Sequence, residues 1–307
     1  MSTAAPIAVF CYRRPDHLRQ TLEALAANHG AGDHDVVVYA DGPRRPEHAE
    51  AVAATRAVAH QQAAAGRFRS VRVVEREHNL GLARSIIAGV TEQAAAHGEV
   101  IVVEDDLVTS PHFLAFMRDG LRVYRDDASV ASIHGYAHDA GVPMPETYFL
   151  RGADCWGWAT WDRAWRRFDP DGPGLLRRLE DAGATKAFDL DGGMPFTQML
   201  RDQSAGRNDS WAIRWHASAF LAGMYTLHPG RSLVANIGQD DSGEHCAGTD
   251  RMPSTLTTDP VPVLRQPVAE HADARRVLGN HMRRQNSLLR RLSGRIRFRL
   301  ARLLKGG

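Results

Sequence analysis

The chain has 307 residues, 43% hydrophobic and 24% charged, enough for one large α/β domain or two small ones and unlike a disordered or fibrous chain. Its cysteines, Cys11, Cys155 and Cys246, form neither a disulfide framework nor a zinc-finger pattern, which fits a reducing compartment. The net charge of +2 is unevenly spread: no acid occurs from Ala274 to Gly307, so a basic tail follows an acidic body.

In chain order, Ile7–Cys11 reads as a first strand and Pro15 as the first turn of a helix bearing Leu18, Leu22 and Leu25. Val36–Ala40 is a second strand, ended by Asp41-Gly42-Pro43, and an alanine-rich helix runs roughly from Glu47 to Ala65. Val71–Val74 is a third strand, 78–81 a turn, and Leu82–Ala96 a helix. Val100–Val103 is a fourth strand. Strands alternating with helices predict an α/β fold: a Rossmann-like, mostly parallel central sheet with helices on both faces. No glycine-rich dinucleotide fingerprint follows the first strand, so a plain Rossmann oxidoreductase is rejected.

The fourth strand runs directly into Glu104-Asp105-Asp106. Adjacent carboxylates repel and contribute nothing to a core, so three of them at a strand exit point to a cation or a phosphate–cation pair. In open α/β sheets that edge is where ligands bind. Beyond the triplet, Phe113–Tyr124 reads as a helix and Val130–His134 as a strand. Trp156, Trp158, Trp161 and Trp165 fall within ten positions; packing explains some, and an aromatic platform for a sugar ring explains one. The stretch 169–193 reads as an insertion with a short helix. Asn208-Asp209-Ser210-Trp211 opens a helix that Asp209 is placed to cap. The polar loop 235–246 is either plain surface or a lid. His78, His134 and His216 are read as packing or surface residues.

These pieces, in this order, resemble the GT-A glycosyltransferases, and within them the N-acetylglucosaminyltransferase I family. The pieces are Cys11-Tyr12-Arg13, Tyr39-Ala40-Asp41, Leu82-Ala83-Arg84, Val103–Leu107 with Pro111 and Phe113, Trp156-Gly157-Trp158, Asn208–Trp211 and Gly238-Gln239. The resemblance implies a GT-A fold and a metal-dependent, inverting transfer of a hexosyl or N-acetylhexosaminyl group. The donor would be a nucleotide sugar, a UDP-sugar by the resemblance, and the acceptor a hydroxyl of a glycan or lipid-linked molecule. Polysaccharide or cell-envelope synthesis is the implied setting. Arg13 would contact the nucleotide and Asp41 the uracil ring. Arg84, Gly238 and Gln239 would complete the donor site, with Glu104 and Asp105 on sugar and ribose hydroxyls. Asp106 would hold Mn2+ (or Mg2+). His245 is a second metal candidate, because many enzymes of this fold place a late histidine on the cation. Asp209 falls near the catalytic base of that family, with Asp240 and Asp241 as alternatives; Trp156, Trp158 and Trp211 would face the acceptor. The family has paired acids where this chain has Asp209-Ser210.

The implied layout is a glycosyltransferase domain over 1–252, divided into a nucleotide part (1–110) and an acceptor part (111–252). A linker (253–284) and a basic amphipathic helix (285–307) follow. In that last segment Leu289, Leu292, Ile296, Leu300, Leu303 and Leu304 share one side of a helical wheel, and arginines the other. Such a helix suits docking of its leucines on the body, self-association, or an anionic membrane surface, which the absence of nearby acids favours; nucleic acid is not expected, since no aromatic stacking platform accompanies the charge. No stretch is apolar and long enough to span a bilayer, and Met1–Tyr12 lacks the pattern of a secretory leader. The expected location is therefore the cytoplasm, with a peripheral position on the inner face of the plasma membrane. Two other readings compete: a sugar-phosphate nucleotidyltransferase, whose glycine-rich basic loop is not seen, and a non-catalytic carbohydrate-binding protein of the same fold.

Overall fold

A computed structural model describes residues 4–238 and 255–286. Its first half alternates as the sequence predicts: β1 (Ile7–Cys11), α1 (Pro15–Ala26), β2 (Asp35–Ala40), α2 (Ala49–Ala64), β3 (Ser70–Glu75), α3 (Leu82–His97) and β4 (Glu99–Glu104). Pro15 opens α1, and Gly98, at φ +80°, closes α3 in the left-handed conformation that a side chain would oppose. The second half contains β5 (Leu107–Thr109), α4 (Phe113–Val123), β6 (Val130–His134), β7 (Thr147–Arg151), β8 (Trp158–Trp161) and α5 (Asp162–Trp165). Then come α6 (Gly172–Asp181), α7 (Thr185–Phe188), α8 (Phe196–Ser204), α9 (Trp211–Leu221), β9 (Tyr225–Pro229), β10 (Val234–Asn236) and α10 (Ala272–Gln285).

Eight strands form one sheet in the order β3-β2-β1-β4-β8-β6-β9-β7. The pairings β1–β2, β2–β3, β1–β4 and β6–β9 are parallel; β4–β8, β6–β8 and β7–β9 are antiparallel. The inner strands β1 and β4 read as unbroken apolar runs because helices cover both faces. These directions put the C-terminal ends of β1, β2, β4, β6 and β9 and the N-terminal ends of β7 and β8 on one edge. The acid triplet lies at that edge, at the exit of β4. A separate ribbon pairs β5 with β10, so that residues 236–238 return to the exit of β4.

The tryptophan-rich stretch is chiefly core. The Trp158 ring stacks on Trp211 at 5.5 Å and lies 6.2 Å from Trp215, which meets Trp165 edge-on at 5.2 Å. All four side chains are buried. This locks α9 onto the middle of the sheet. The stretch 169–193, expected to hold one short helix, holds α6 and α7. With α8 they pack Leu175, Leu179, Phe188 and Leu200 against Ile213, Ala217 and Phe220 of α9 as a small second core.

The expected linker 253–284 needs correction over its described part. Val261 and Val263 are buried, Gln266 N–H donates to the Tyr124 hydroxyl (3.1 Å), and Glu270 bridges to Phe149 of β7. From Ala272 the chain is α10, which buries Ala274 and Leu278 against Tyr148 and Leu150. The i, i+4, i+8 series Ala274, Leu278, Met282 is a narrow stripe in a polar helix, and the prolines before it dominate the reading of the sequence. The segment is thus a strap and a docked helix along the β7 side of the sheet. Nearly all of the expected tail helix (285–307) lies outside the described residues.

Candidate functional site

β1 and β4 are neighbours, but β1 continues to β2 while β4 follows a helix from β3, so the strand order reverses between them. Such a reversal opens a crevice at the C-terminal edge, the place where open α/β sheets hold ligands. The chain leaving β1 (Tyr12–Arg14) and the chain leaving β4 (Glu104–Asp106) meet across it. Arg14 Nη2 donates to Asp105 Oδ1 at 2.5 Å and to Asp106 Oδ2 at 2.9 Å. The Tyr12 N–H donates to Asp105 Oδ2 at 3.3 Å, and the Thr21 hydroxyl donates to the Asp105 carbonyl at 2.8 Å.

The electrostatics show what this cluster lacks. Burial pushes the Asp105 carboxyl up to about 6, against the pull of Arg14. Burial, then the charges of Asp106 and Asp105, also raise Glu104. Burial opposes the Arg14 charge, but Asp105 and Asp106 outweigh it and hold the guanidinium above its ordinary value. One arginine therefore serves three carboxylates and leaves two of them reluctant to ionise. A hard divalent cation, which takes oxygen ligands, would supply the missing charge, so this donor set fits Mn2+ or Mg2+.

Gly238 closes the crevice from above. Ile237 N–H donates to the Asp106 carbonyl at 2.8 Å, and a Cβ placed on Gly238 would lie 2.2 Å from Asp106 Oδ2 and 2.8 Å from Arg14 Nη1. No side chain fits there, which explains the glycine two residues after β10. Gln239 and His245, expected in the donor site and on the metal, lie outside the described residues, as do Asp240 and Asp241.

The other expected donor contacts are placed as follows. Asp41 is buried at the end of β2, where Oδ1 accepts from Leu80 N–H (2.8 Å) and Oδ2 from Gly81 N–H (2.9 Å). It thereby holds the turn that opens α3, a local role the spacing alone did not reveal. Arg84 stands exposed in the first turn of α3, above the same edge. Arg13 is half-buried with its guanidinium 6.0 Å from the Tyr12 ring, and it is Arg14, not Arg13, that reaches the acids. The run Arg13-Arg14-Pro15 gave the signal, but a one-residue choice at a strand exit decides which arginine turns inward.

For the residues expected to face an acceptor, the burial of Trp158 and Trp211 corrects their expected exposure to a sugar: both are core residues. Trp156 is half-buried and meets Tyr136 edge-on at 4.8 Å, so of the three it alone offers a surface. The start of α9 lies at the same edge as the acids, because Trp211 stacks on Trp158, which pairs with Val102 of β4. The cap of α9 is Ser210, whose Oγ accepts from Ile213 N–H; this displaces Asp209 from the expected capping role by one residue. Asp209 is left 67% exposed, with Oδ1 accepting from Arg214 Nη2 at 3.0 Å. Arg214 itself is buried, so it orients the carboxylate from behind.

Residues 5–126, less than half of the chain, match the family model Glycosyltransferase like family 2. No curated protein matches the chain. Among solved structures, the mannosyltransferase PcManGT of Pyrobaculum calidifontis, in complex with GDP-Man and Mn2+, aligns over 44% of this chain and 36% of its own, at 14% identity and a TM-score of 0.33. TarS of S. aureus aligns over 48% and 24% respectively, at 16% identity and a TM-score of 0.33. The galactosyltransferase LgtC, in complex with donor and acceptor sugar analogs, aligns over 57% and 65%, at 15% identity and a TM-score of 0.34. The chain thus covers less than two thirds of each of these proteins.

Proposed function

We propose that the chain is a metal-dependent inverting glycosyltransferase. It would move a sugar from a nucleotide-diphosphate sugar, with a UDP-sugar as the donor, to a hydroxyl of a glycan or lipid-linked acceptor. The observation that carries this reading is the meeting of Arg14 with Asp105 and Asp106 across the β1–β4 crevice. The matched stretch 5–126 contains both sides of that crevice. Likeness to the N-acetylglucosaminyltransferase I family belongs to the same proposal.

Asp106, half-buried at the mouth, would hold Mn2+ or Mg2+ together with Glu104 and Asp105. A cation held there would offset charge that develops on a departing diphosphate. Arg14 carries a fixed positive charge at the same place and can turn from carboxylate to phosphate oxygens. Asp209, exposed and oriented by Arg214, takes the proton from the attacking acceptor hydroxyl. Trp156 supplies an apolar wall for the acceptor ring. Residues 236–238, tied to the Asp106 carbonyl, keep water from the donor side.

The direct test is a screen of nucleotide sugars with purified protein, with and without Mn2+, reading release of nucleoside diphosphate. Divalent-dependent release from one donor class supports the proposal. Release of pyrophosphate from a nucleoside triphosphate and a sugar phosphate would instead favour a nucleotidyltransferase. For the base, Asp209→Asn keeps the shape but cannot accept a proton at neutral pH. Transfer should fall by roughly 100-fold or more with donor affinity nearly unchanged. Equal losses of rate and donor binding would give Asp209 a structural role.

The basic tail belongs to the same proposal, as a contact with the anionic inner face of the plasma membrane. Each basic residue near such a surface contributes about 1 kcal/mol. The full chain should sediment with anionic vesicles at low salt, and a chain truncated after Gln285 should stay in the supernatant. If both remain in the supernatant, the membrane contact is wrong.

A further inference from the structure

Two and three strands away from the carboxylates, a second group of ligating side chains sits on the same edge. β6 and β9 run parallel in a register that pairs Ile133 with Leu227, so His134 and His228 follow as neighbours at the strand ends. Their Nδ1 atoms are 3.2 Å apart. Asp154, on the loop that leads into β8, brings Oδ1 to 3.7 Å from His134 Nε2. One ligand atom from each of His134, Asp154 and His228 lies within 4.8 Å of the others. Strand spacing puts this group about 10–14 Å from the exit of β4, too far to share its cation.

We propose that His134, Asp154 and His228 form a second metal site, one that takes a divalent transition metal of the Zn2+ type. Two imidazoles and one carboxylate are borderline nitrogen–oxygen donors, the set preferred by Zn2+ and its transition-metal neighbours over Mg2+ or Ca2+. Each of the three residues brings one ligand atom within 4.8 Å of the others, and a tetrahedral shell with bonds of about 2.0–2.1 Å would draw them to about 3.3 Å apart. The His134 Nε2 that faces Asp154 accepts from the Trp156 N–H at 3.2 Å, and the cation would take that lone pair in its place. Both histidines are buried, and the Tyr148 ring stacks on His228 at 5.5 Å with only 9° between planes. Burial also keeps both imidazoles neutral, the form that ligates. Asp154 is the movable member, half-exposed on its loop.

The site has a consequence for the edge. Its three members come from β6, β9 and the loop 152–157, and that loop carries Trp156. Gly135 N–H already donates to the Gly157 carbonyl at 2.7 Å and the Thr226 hydroxyl to the Gly152 carbonyl at 2.8 Å, and a metal would add a tie through Asp154. It therefore acts as a positioning device for the wall beside the carboxylate crevice.

The test uses the full chain, stripped with chelator and titrated with Co2+, whose visible absorption reports nitrogen–oxygen coordination, followed by displacement with Zn2+. It is run in the Asp106→Asn background so that the carboxylate crevice does not contribute. One equivalent of Co2+ is expected, displaced by one equivalent of Zn2+. Asp154→Ala, at a half-exposed position where it gives up one hydrogen bond from Cys155 N–H, should weaken Co2+ by at least the ~10–100-fold that loss of a second-shell partner costs. His228→Gln should abolish the band while circular dichroism stays unchanged. Absence of a one-equivalent band in the Asp106→Asn protein, or equal affinity with and without Asp154, overturns the proposal and leaves an ordinary imidazole–imidazole hydrogen bond. Because the readout is metal binding and not transfer, it stands or falls apart from the proposed activity.

Discussion

Replacing Asp106 with Asn should remove divalent-dependent transfer while leaving the chain folded. The side chain is half-buried at the exit of β4 and contributes nothing to the core, so the amide fits the same space. Arg14 keeps its bond to Asp105, so the buried charge of Asp105 stays paired. What is lost is the one acid of the triplet that both faces the mouth of the crevice and lies against Gly238. Transfer should fall by about 100- to 1,000-fold, the scale for losing one electrostatic stabiliser of a developing charge. Urea unfolding should move by less than about 1 kcal/mol, as expected of a change outside the core. Arg14→Ala makes the contrast: it strands buried Asp105 without a cationic partner, leaving only the Tyr12 N–H, and should cost about 3–5 kcal/mol of stability. Full transfer by Asp106→Asn, or by the wild type in excess chelator, would falsify the metal-dependent reading.

The sequence located this crevice better than it described it. Apolar strands, a proline at a helix start and a carboxylate run at a strand exit are local patterns, and β1, β4 and the acids appear where they predict. Partners set by long-range pairing left no such trace. Arg14 is 91 residues from Asp105, and the inward turn of Arg14 rather than Arg13 depends on how the chain leaves β1. His134 and His228 are 94 residues apart and look like isolated histidines until β6 and β9 are laid side by side. The mixed half of the sheet explains this: β8 is inserted between β4 and β6, so neighbours in space are not neighbours in sequence. Trp158 and Trp211 show the converse. Aromatic density signalled a surface platform or a core with equal force, and only the burial against Trp165 and Trp215 separates the two. The α10 stripe was legible in principle, but its three small contacts were masked by a proline-rich approach.

The same histidine pair should make the metal-free protein sensitive to acid. Burial holds His134 down to about 3, and burial together with the His134 neighbour holds His228 down to about 3, Asp154 pulling weakly the other way. In the unfolded chain both titrate near 6.5. Between those values the unfolded state binds protons that the folded state refuses. The contribution is therefore intact above about pH 6.5 and is lost as pH falls toward 3. Each histidine costs up to about 1.4 kcal/mol per pH unit in that window, so going from pH 7 to 5.5 should remove roughly 2–3 kcal/mol from the pair. Asp105 works in the opposite sense, since its raised carboxyl gains stability as pH falls from about 6 toward its unfolded value. The net slope of the wild type thus mixes both signs, and the histidine share must be read as a difference. Urea unfolding at several pH values, in chelator, should show a shallower loss of stability for the double variant His134→Asn, His228→Gln than for the wild type. Parallel slopes would mean that the two rings take up protons in the folded protein and that their environment is wetter than the packing of Tyr148 against His228 implies.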